Sequence, residues 1–271
     1  MTNQIKNSKI IFFGTPEVSA KVLGSLVDAG YEIVAVVTNP DQPVGRKHLI
    51  TPPPVKVLAQ EKGIEVLQPE KLKDFVLPQA DLAIVVAYGK IIPQSIIDTF
   101  PLGMLNIHYS LLPKYRGASP VEQAILSGDT VTGVTIQKLV FKLDAGPIIG
   151  VKPVPIDEHV TTPELKNILT EVGVELLLEI LPKYIGGDIT PIEQDESLAT
   201  HCGKTDKADG EIKLGDDDHE KWRKYKAYYG WPGVFYFDEA GKRVKVTGAE
   251  WIEDQFIIKK IIPEGKNEIS I

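Results

Sequence analysis

The stretch that decides the fold is KIIFFGTPEVSAKVLGSLVDAGYEIVAVVT, residues 9–38. KIIFFG (9–14) is a short apolar run without alternation, as in a strand buried on both faces, and it stops at Gly14. Thr15 then offers a hydroxyl cap, Pro16 suits the first helical position, and Gly30 marks the end. Between them Val18, Val22, Leu26 and Ala29 keep a helical spacing. EIVAVVT (32–38) is a second run rich in β-branched residues. Strand, helix and strand at this spacing predict a right-handed parallel unit, with helices covering a sheet.

Outward from this unit the pattern repeats. DLAIVVAYG (81–89) and GMLNIH (103–108) read as buried strands, and TGVTIQKLV (132–140) alternates as a half-buried one. The last long helix is TTPELKNILTEVGVELLLEILPKYIGG (161–187), expected to be capped by Thr162. Its stripe is Leu165, Ile168, Val172, Leu176 and Ile180. Polar, weakly patterned sequence over 188–203 reads as a linker. Beyond it, DDDHEKWRKYKAYYG (216–230) predicts a helix with acids first and bases later. The short strands after it make residues 204–271 a small β-rich domain. The expected fold is therefore α/β, with a largely parallel sheet over 1–187. One segment resists this scheme: NPDQPVGRKHLITPPP (39–54) holds five prolines and no apolar periodicity, and loops of this length are often functional.

Composition narrows the classes. The chain has 271 residues, 43% of them hydrophobic and 25% charged, which is ordinary for a globular protein. One cysteine, Cys202, excludes an intrachain disulfide and suits a reducing compartment. No apolar run is long enough to span a bilayer, so a cytoplasmic location with no membrane partner is expected. The net charge of -7 speaks against general nucleic-acid binding. Residues 201–271 carry 13 basic against 14 acidic side chains, and the remainder 17 against 23, so neither part is basic.

Several familiar sites are missing from the sequence. The first turn is GTPEVS rather than a glycine-rich dinucleotide loop, and no phosphate-binding P-loop occurs. Ser110 lacks a nucleophile elbow, and the five histidines show no metal-ligand spacing, so no metal is expected. Open α/β sheets bind ligands outside the carboxyl ends of their strands. There NIHYSLLPKYRG (106–117) puts Asn106 and His108 on one strand face by two-residue periodicity, and FKLDAG brings Asp144 from the next strand and loop. A carboxamide, an imidazole and a carboxylate at one crevice can stabilise an oxyanion and move a proton without a covalent nucleophile. Each also has a plain structural reading. His108 could be a satisfied strand-end residue, Asn106 and Asp144 could start turns, and Lys114 and Arg116 could be solvated loop charges.

The combined motif NIHYSLLPKYRGASPVEQAILSGDTVTGVTIQ (106–137), with FKLDAGPII after it, closely resembles the signature of the folate-dependent formyltransferases. FFGTPEVSAKVL and TNPDQPVGRK resemble the members of that family that act on charged initiator tRNA. The resemblance covers nearly all of residues 9–210, and continues less regularly through YYGWPGVFYF. It implies a Rossmann-like formyltransferase domain followed by a truncated barrel-like C-terminal domain. The implied reaction moves a formyl group from 10-formyltetrahydrofolate to the α-amino group of methionine on initiator tRNA. Asn106, His108 and Asp144 fall on the family's catalytic positions, and Arg116 takes a structural place. The folate would lie against backbone groups of Ala87, Tyr88, Gly89 and Ile91. Arg46 matches an arginine in the inserted loop that reaches for the tRNA, with Lys47 beside it. The KWRKYK helix (221–226) and Lys242–Arg243 are further tRNA candidates. The chain departs from its relatives in a less basic inserted loop and a shorter second domain. A formyltransferase for a nucleotide-linked amino sugar shares the N-x-H…D core and is the alternative, as is a folate- or RNA-binding protein without turnover. A monomer is expected.

Overall fold

The computed structural model describes residues 8–45, 48–73 and 75–271. Its centre is a seven-stranded sheet in the order β10-β9-β7-β6-β1-β2-β5. The strands are β1 (Lys9–Gly14), β2 (Glu32–Val37), β5 (Glu65–Leu67), β6 (Leu82–Val86), β7 (Met104–His108), β9 (Val131–Lys138) and β10 (Ile148–Pro155). β1 pairs in parallel with both β2 and β6, β2 with β5, and β6 with β7. β9 alone runs against its neighbours β7 and β10.

The opening β1–helix–β2 unit is as the sequence predicts, with α1 at Glu17–Asp28. Gly14 is needed where strand meets helix, because a Cβ there would sit 2.7 Å from both Phe12 Cε1 and Ser19 Cβ. The cap differs by one residue. Pro16 takes that position, because the Thr15 hydroxyl donates instead to the Tyr88 carbonyl at 3.1 Å. That bond ties the turn after β1 to the one after β6.

Two apolar layers sandwich the sheet. On one face Ile10, Phe12, Ile84, Leu105, Ile107 and Val134 pack beneath α1, α2 (Pro54–Glu61), α4 (Pro120–Leu126) and α5 (Thr162–Ile185). On the other, Ile11, Phe13, Ala83, Val85 and Met104 meet the segment around the short α3 (Gln94–Ile97). β9 is buried along almost all its length rather than half-buried, since it lies inside the sheet with layers on both sides. The long helix α5 begins after Thr161, not Thr162. Thr161 N–H donates to the Glu164 carboxylate at 2.8 Å, and the Thr162 hydroxyl instead reaches the Ala227 carbonyl at 2.8 Å. Its inward stripe is Leu165, Leu169, Leu176, Leu177 and Ile180, while Ile168 is 41% exposed.

The proline-rich segment is less irregular than its sequence suggests. β3 (Gln42–Val44) and β4 (Leu49–Thr51) pair as an antiparallel hairpin, with Leu49 and Ile50 exposed. Arg46 and Lys47, between these strands in sequence, lie outside the described residues.

The C-terminal part holds α6 (Asp218–Ala227) and an open antiparallel sheet, β12 (Val234–Phe237), β13 (Arg243–Ile252), β14 (Gln255–Pro263) and β15 (Ile269–Ser270). α6 packs on α4, so one apolar core runs from Val121 and Ile125 through Trp222 and Tyr225 to Val246 and Phe256. Trp222 stacks between Tyr225 and Trp251, with ring centroids 5.5 and 6.0 Å away. This packing removes two lysines of KWRKYK from the solvated surface. Lys226 is buried with its ammonium on the Glu158 carbonyl, and Lys221 is buried against Asp218 and the Leu214 carbonyl. No described helix is long and apolar enough to cross a membrane.

Candidate active site

β7 ends where the parallel part of the sheet meets its one reversed strand. Parallel pairing puts Val85 beside Asn106 on one side, and antiparallel pairing puts Gln137 of β9 opposite Asn106 on the other. The chain leaving β7 is then fixed in detail. The Thr135 hydroxyl donates to the Ser110 carbonyl at 2.7 Å and accepts Leu112 N–H at 3.1 Å. Thr200 takes Tyr115 N–H on its hydroxyl and Arg116 N–H on its carbonyl, each at 2.8 Å. β8 (Arg116–Gly117) finally pairs with β11 (His201–Cys202).

These constraints bring Asn106, His108 and Asp144 together. Asp144 Oδ1 is 3.4 Å from Asn106 Nδ2 and 3.7 Å from His108 Nδ1. His108 Nε2 lies 2.9 Å from the Tyr115 carbonyl. A carbonyl only accepts, so Nε2 carries its hydrogen there and Nδ1 is the nitrogen turned to the carboxylate. Both His108 and Asp144 are buried. Asp144 holds the left-handed backbone angle φ 48°, uncommon for a residue with a side chain. Such an outlier persists only where its surroundings over-determine it.

They do. Asp144 Oδ2 accepts Gly117 N–H at 2.9 Å, and Oδ1 accepts the Gln137 side-chain amide at 3.0 Å. Gln137 Oε1 in turn takes Gly146 N–H at 3.1 Å. Gly117 and Gly146 are required by close approach. A Cβ on either would fall 2.0 Å from the Cys202 carbonyl oxygen or 1.7 Å from that of Lys138.

Arg116 is fully buried, not a solvated loop charge. Its guanidinium donates to both oxygens of Glu196, at 2.9 and 3.1 Å, and to Gln194 Oε1 at 2.8 and 3.1 Å. Lys142 also reaches Glu196 at 2.7 Å. Hydrogen bonds from Arg116 first, then Lys142, hold the Glu196 carboxyl at about 2, well below the usual carboxylate range. Lys114 pairs with Asp129 at 2.7 Å and does keep one side in solvent. Gln137 and Gln194 are the polar residues that the sequence reading misses. A lone Gln inside the apolar run TIQKLV was a usable signal for the first; nothing local marks the second.

The segment Ala87–Ile91 leaves β6 next to the end of β7, with left-handed φ at Ala87 (44°) and Gly89 (82°). Ala87 and Gly89 are exposed, and Ile91 is 83% exposed. Tyr88 is different. The whole residue is 2% exposed, its ring is edge-on to Phe13 at 5.5 Å, and burial pushes its hydroxyl up to about 12. Its carbonyl accepts from Thr15 and Asn39, so Tyr88 fixes the turn between its exposed neighbours. Phe141 and Leu143, 65% and 63% exposed, stand on the loop that carries Asp144. Among the described residues no three His, Cys, Asp or Glu side chains cluster as metal ligands would.

Comparison with known proteins bears on the family and the fold. Residues 8–181 match the family model described as formyl transferase. The chain is 42% identical to methionyl-tRNA formyltransferase of Halalkalibacterium halodurans, over 89% of this chain and 78% of that one. Among solved structures, HypX from Aquifex aeolicus in complex with tetrahydrofolic acid aligns with a TM-score of 0.67 at 20% identity. That match covers 97% of this chain but 46% of HypX, so this chain spans about half of it. WlaRD, a sugar 3N-formyl transferase, aligns with a TM-score of 0.69 at 18% identity over 96% of this chain and 99% of its own. Both likenesses concern the fold. The family match and the 42% identity together carry the assignment: this chain belongs to the formyl transferase family, in the company of the methionyl-tRNA formyltransferases.

Proposed function

We propose that this protein transfers the formyl group of 10-formyltetrahydrofolate to the α-amino group of methionine esterified to initiator tRNA. The observation that carries the reading is the convergence of Asn106, His108 and Asp144 within 3.7 Å at the end of β7. Its acceptor follows from the relatives, which are named methionyl-tRNA formyltransferases at 40–43% identity.

In this mechanism Asn106 Nδ2 and protonated His108 Nδ1 flank the space where the formyl oxygen gains negative charge, and stabilise it. Asp144 takes the proton that the attacking amine releases, through water. A new C–N bond forms to the amine, the bond to the folate nitrogen breaks, and that proton ends on the folate nitrogen. A free α-amino group titrates at about 7.7–8.0, so a useful fraction is neutral at cytosolic pH. The folate supplies the activated formyl group. Exposed backbone at Ala87 and Gly89, with Ile91 near it, suits a flat, hydrogen-bonding ring system. Ala87, Gly89 and Ile91 are accordingly its contacts, with buried Tyr88 holding the turn between them.

The reading divides the chain into a catalytic unit over 1–187, a connecting segment over 188–203 and a C-terminal unit over 204–271. Arg46 and Lys47, which fall between β3 and β4 in sequence, contact the acceptor end of the tRNA. The protein acts as a cytoplasmic monomer. The test is to supply 10-formyltetrahydrofolate with charged initiator tRNA, or with a nucleotide-linked amino sugar, and follow formylated product. Formyl-methionyl-tRNA is expected. Product with the sugar alone overturns the acceptor, and folate binding without either product overturns catalysis.

A further inference from the structure

We infer that Gln194, from the segment after α5, is a positioning residue that sets the Asp144 carboxylate in place for formyl transfer. The segment returns over the site instead of leading away from it. Ile192 and Ile148 exchange backbone hydrogen bonds at 2.7 and 2.9 Å, which anchors it beside the end of the catalytic loop. Two residues on, Gln194 Nε2 donates to the backbone carbonyl of Asp144 at 2.9 Å and to that of Gly146 at 2.7 Å. It also lies 3.3 Å from Gln137 Oε1, on the side chain that holds Asp144 Oδ1.

The amide of Gln194 cannot turn over without loss. Its Oε1 is held by the Nε and Nη2 of buried Arg116, both of which only donate, so the NH2 must face the loop. Arg116 is oriented by Glu196 on its outer side, and its neighbour Gly117 supplies the N–H on Asp144 Oδ2. Gln194 therefore grips the backbone of Asp144, whose left-handed φ of 48° must be maintained by its surroundings. Released, the loop would relax and carry the carboxylate away from His108. A displacement of this kind costs about 100-fold in rate when it reaches 1 Å.

This inference rests on the formyl-transfer reading, so the wild-type protein is assayed first against both acceptors, and the variants on whichever one it uses. Product with the sugar alone would defeat the tRNA reading and leave the comparison intact. No wild-type turnover at all would remove this inference with the activity. Gln194→Met keeps the volume and removes every bond. It is expected to lower kcat about 10- to 100-fold and leave KM for both substrates within about twofold. Gln194→Glu keeps an acceptor for Arg116 but loses both donors, and is expected to lose kcat similarly. The discriminating measurement is Gln194→Met placed on Asp144→Asn, read by single turnover. If Gln194 works through the carboxylate, the second substitution adds little to the first. Wild-type kcat in either single variant overturns the inference. So does an undiminished loss in the Asp144→Asn background, and so does failure of both single variants to fold.

Discussion

Asn106 and Gln137 face each other across the antiparallel pairing of β7 with β9, and both side-chain amides point at the same oxygen, Oδ1 of Asp144. One is near solvent and the other is fully buried. The buried amide holds the carboxylate at 3.0 Å, while the outer amide at 3.4 Å makes the looser contact. This division leaves Asn106 able to turn to a substrate oxygen without releasing Asp144.

Replacing His108 or Asp144 with Ala should lower kcat/KM by about 100-fold or more, with the thermal transition still cooperative. Steady-state kinetics beside a melting curve would check both halves. A variant within tenfold of wild type would remove that residue from the chemistry.

Gln137→Leu should destabilise as well as slow the enzyme. It strips a donor from Asp144 and an acceptor from Gly146 N–H, at a cost of about 1–3 kcal/mol for each buried group left unpaired. Urea unfolding would measure this, and a midpoint equal to that of wild type would contradict the buried network.

Gly117→Ala should be among the most damaging single-methyl changes in the chain. The new Cβ would fall 2.0 Å from the Cys202 carbonyl, at a backbone angle of 126° that side chains rarely adopt. Relief requires β8 to part from β11, which moves the N–H on Asp144 Oδ2. Lower melting temperature and lower kcat are expected together, so loss of only one would argue against the coupling.

Glu196 should leave an acid-side signature. Its carboxyl is lowered to about 2 in the fold from 4.5. Stability from Arg116 and Lys142 is thus present above 4.5 and lost as pH falls through about 2. Glu196→Gln should flatten that part of the stability–pH curve. An unchanged acid limb would show that the pairing contributes nothing.

Arg46→Ala should raise KM for tRNA and leave KM for folate unchanged, as expected for a phosphate contact. Because such contacts release counterions, its effect should shrink as salt rises. Equal KM for tRNA at low salt would remove Arg46 from the interface.

Local pattern carried most of the architecture. The β1–α1–β2 unit follows from apolar runs and helix punctuation, and Asn106 and His108 share a face because strand periodicity requires it. Long-range pairing was much less legible. Thr161 rather than Thr162 caps α5 because Thr162 finds Ala227, 65 residues away. Lys221 and Lys226 read as solvated bases until α6 is seen packed on α4. Arg116 resembled a loop charge because its partners Gln194 and Glu196 lie about 80 positions later, at separations of 78 and 80. Residue types alone do not encode such meetings.

The strap from Ile192 to Cys202 also has a consequence for biosynthesis. The sheet is complete once β10 and α5 have formed, yet the loop bearing Asp144 still lacks its clasp. A nascent chain halted at 187 would own every strand of the main sheet and still lack that clasp. The clasp can close only when the ribosome has released the residues that reach back to Arg116 and Gly117.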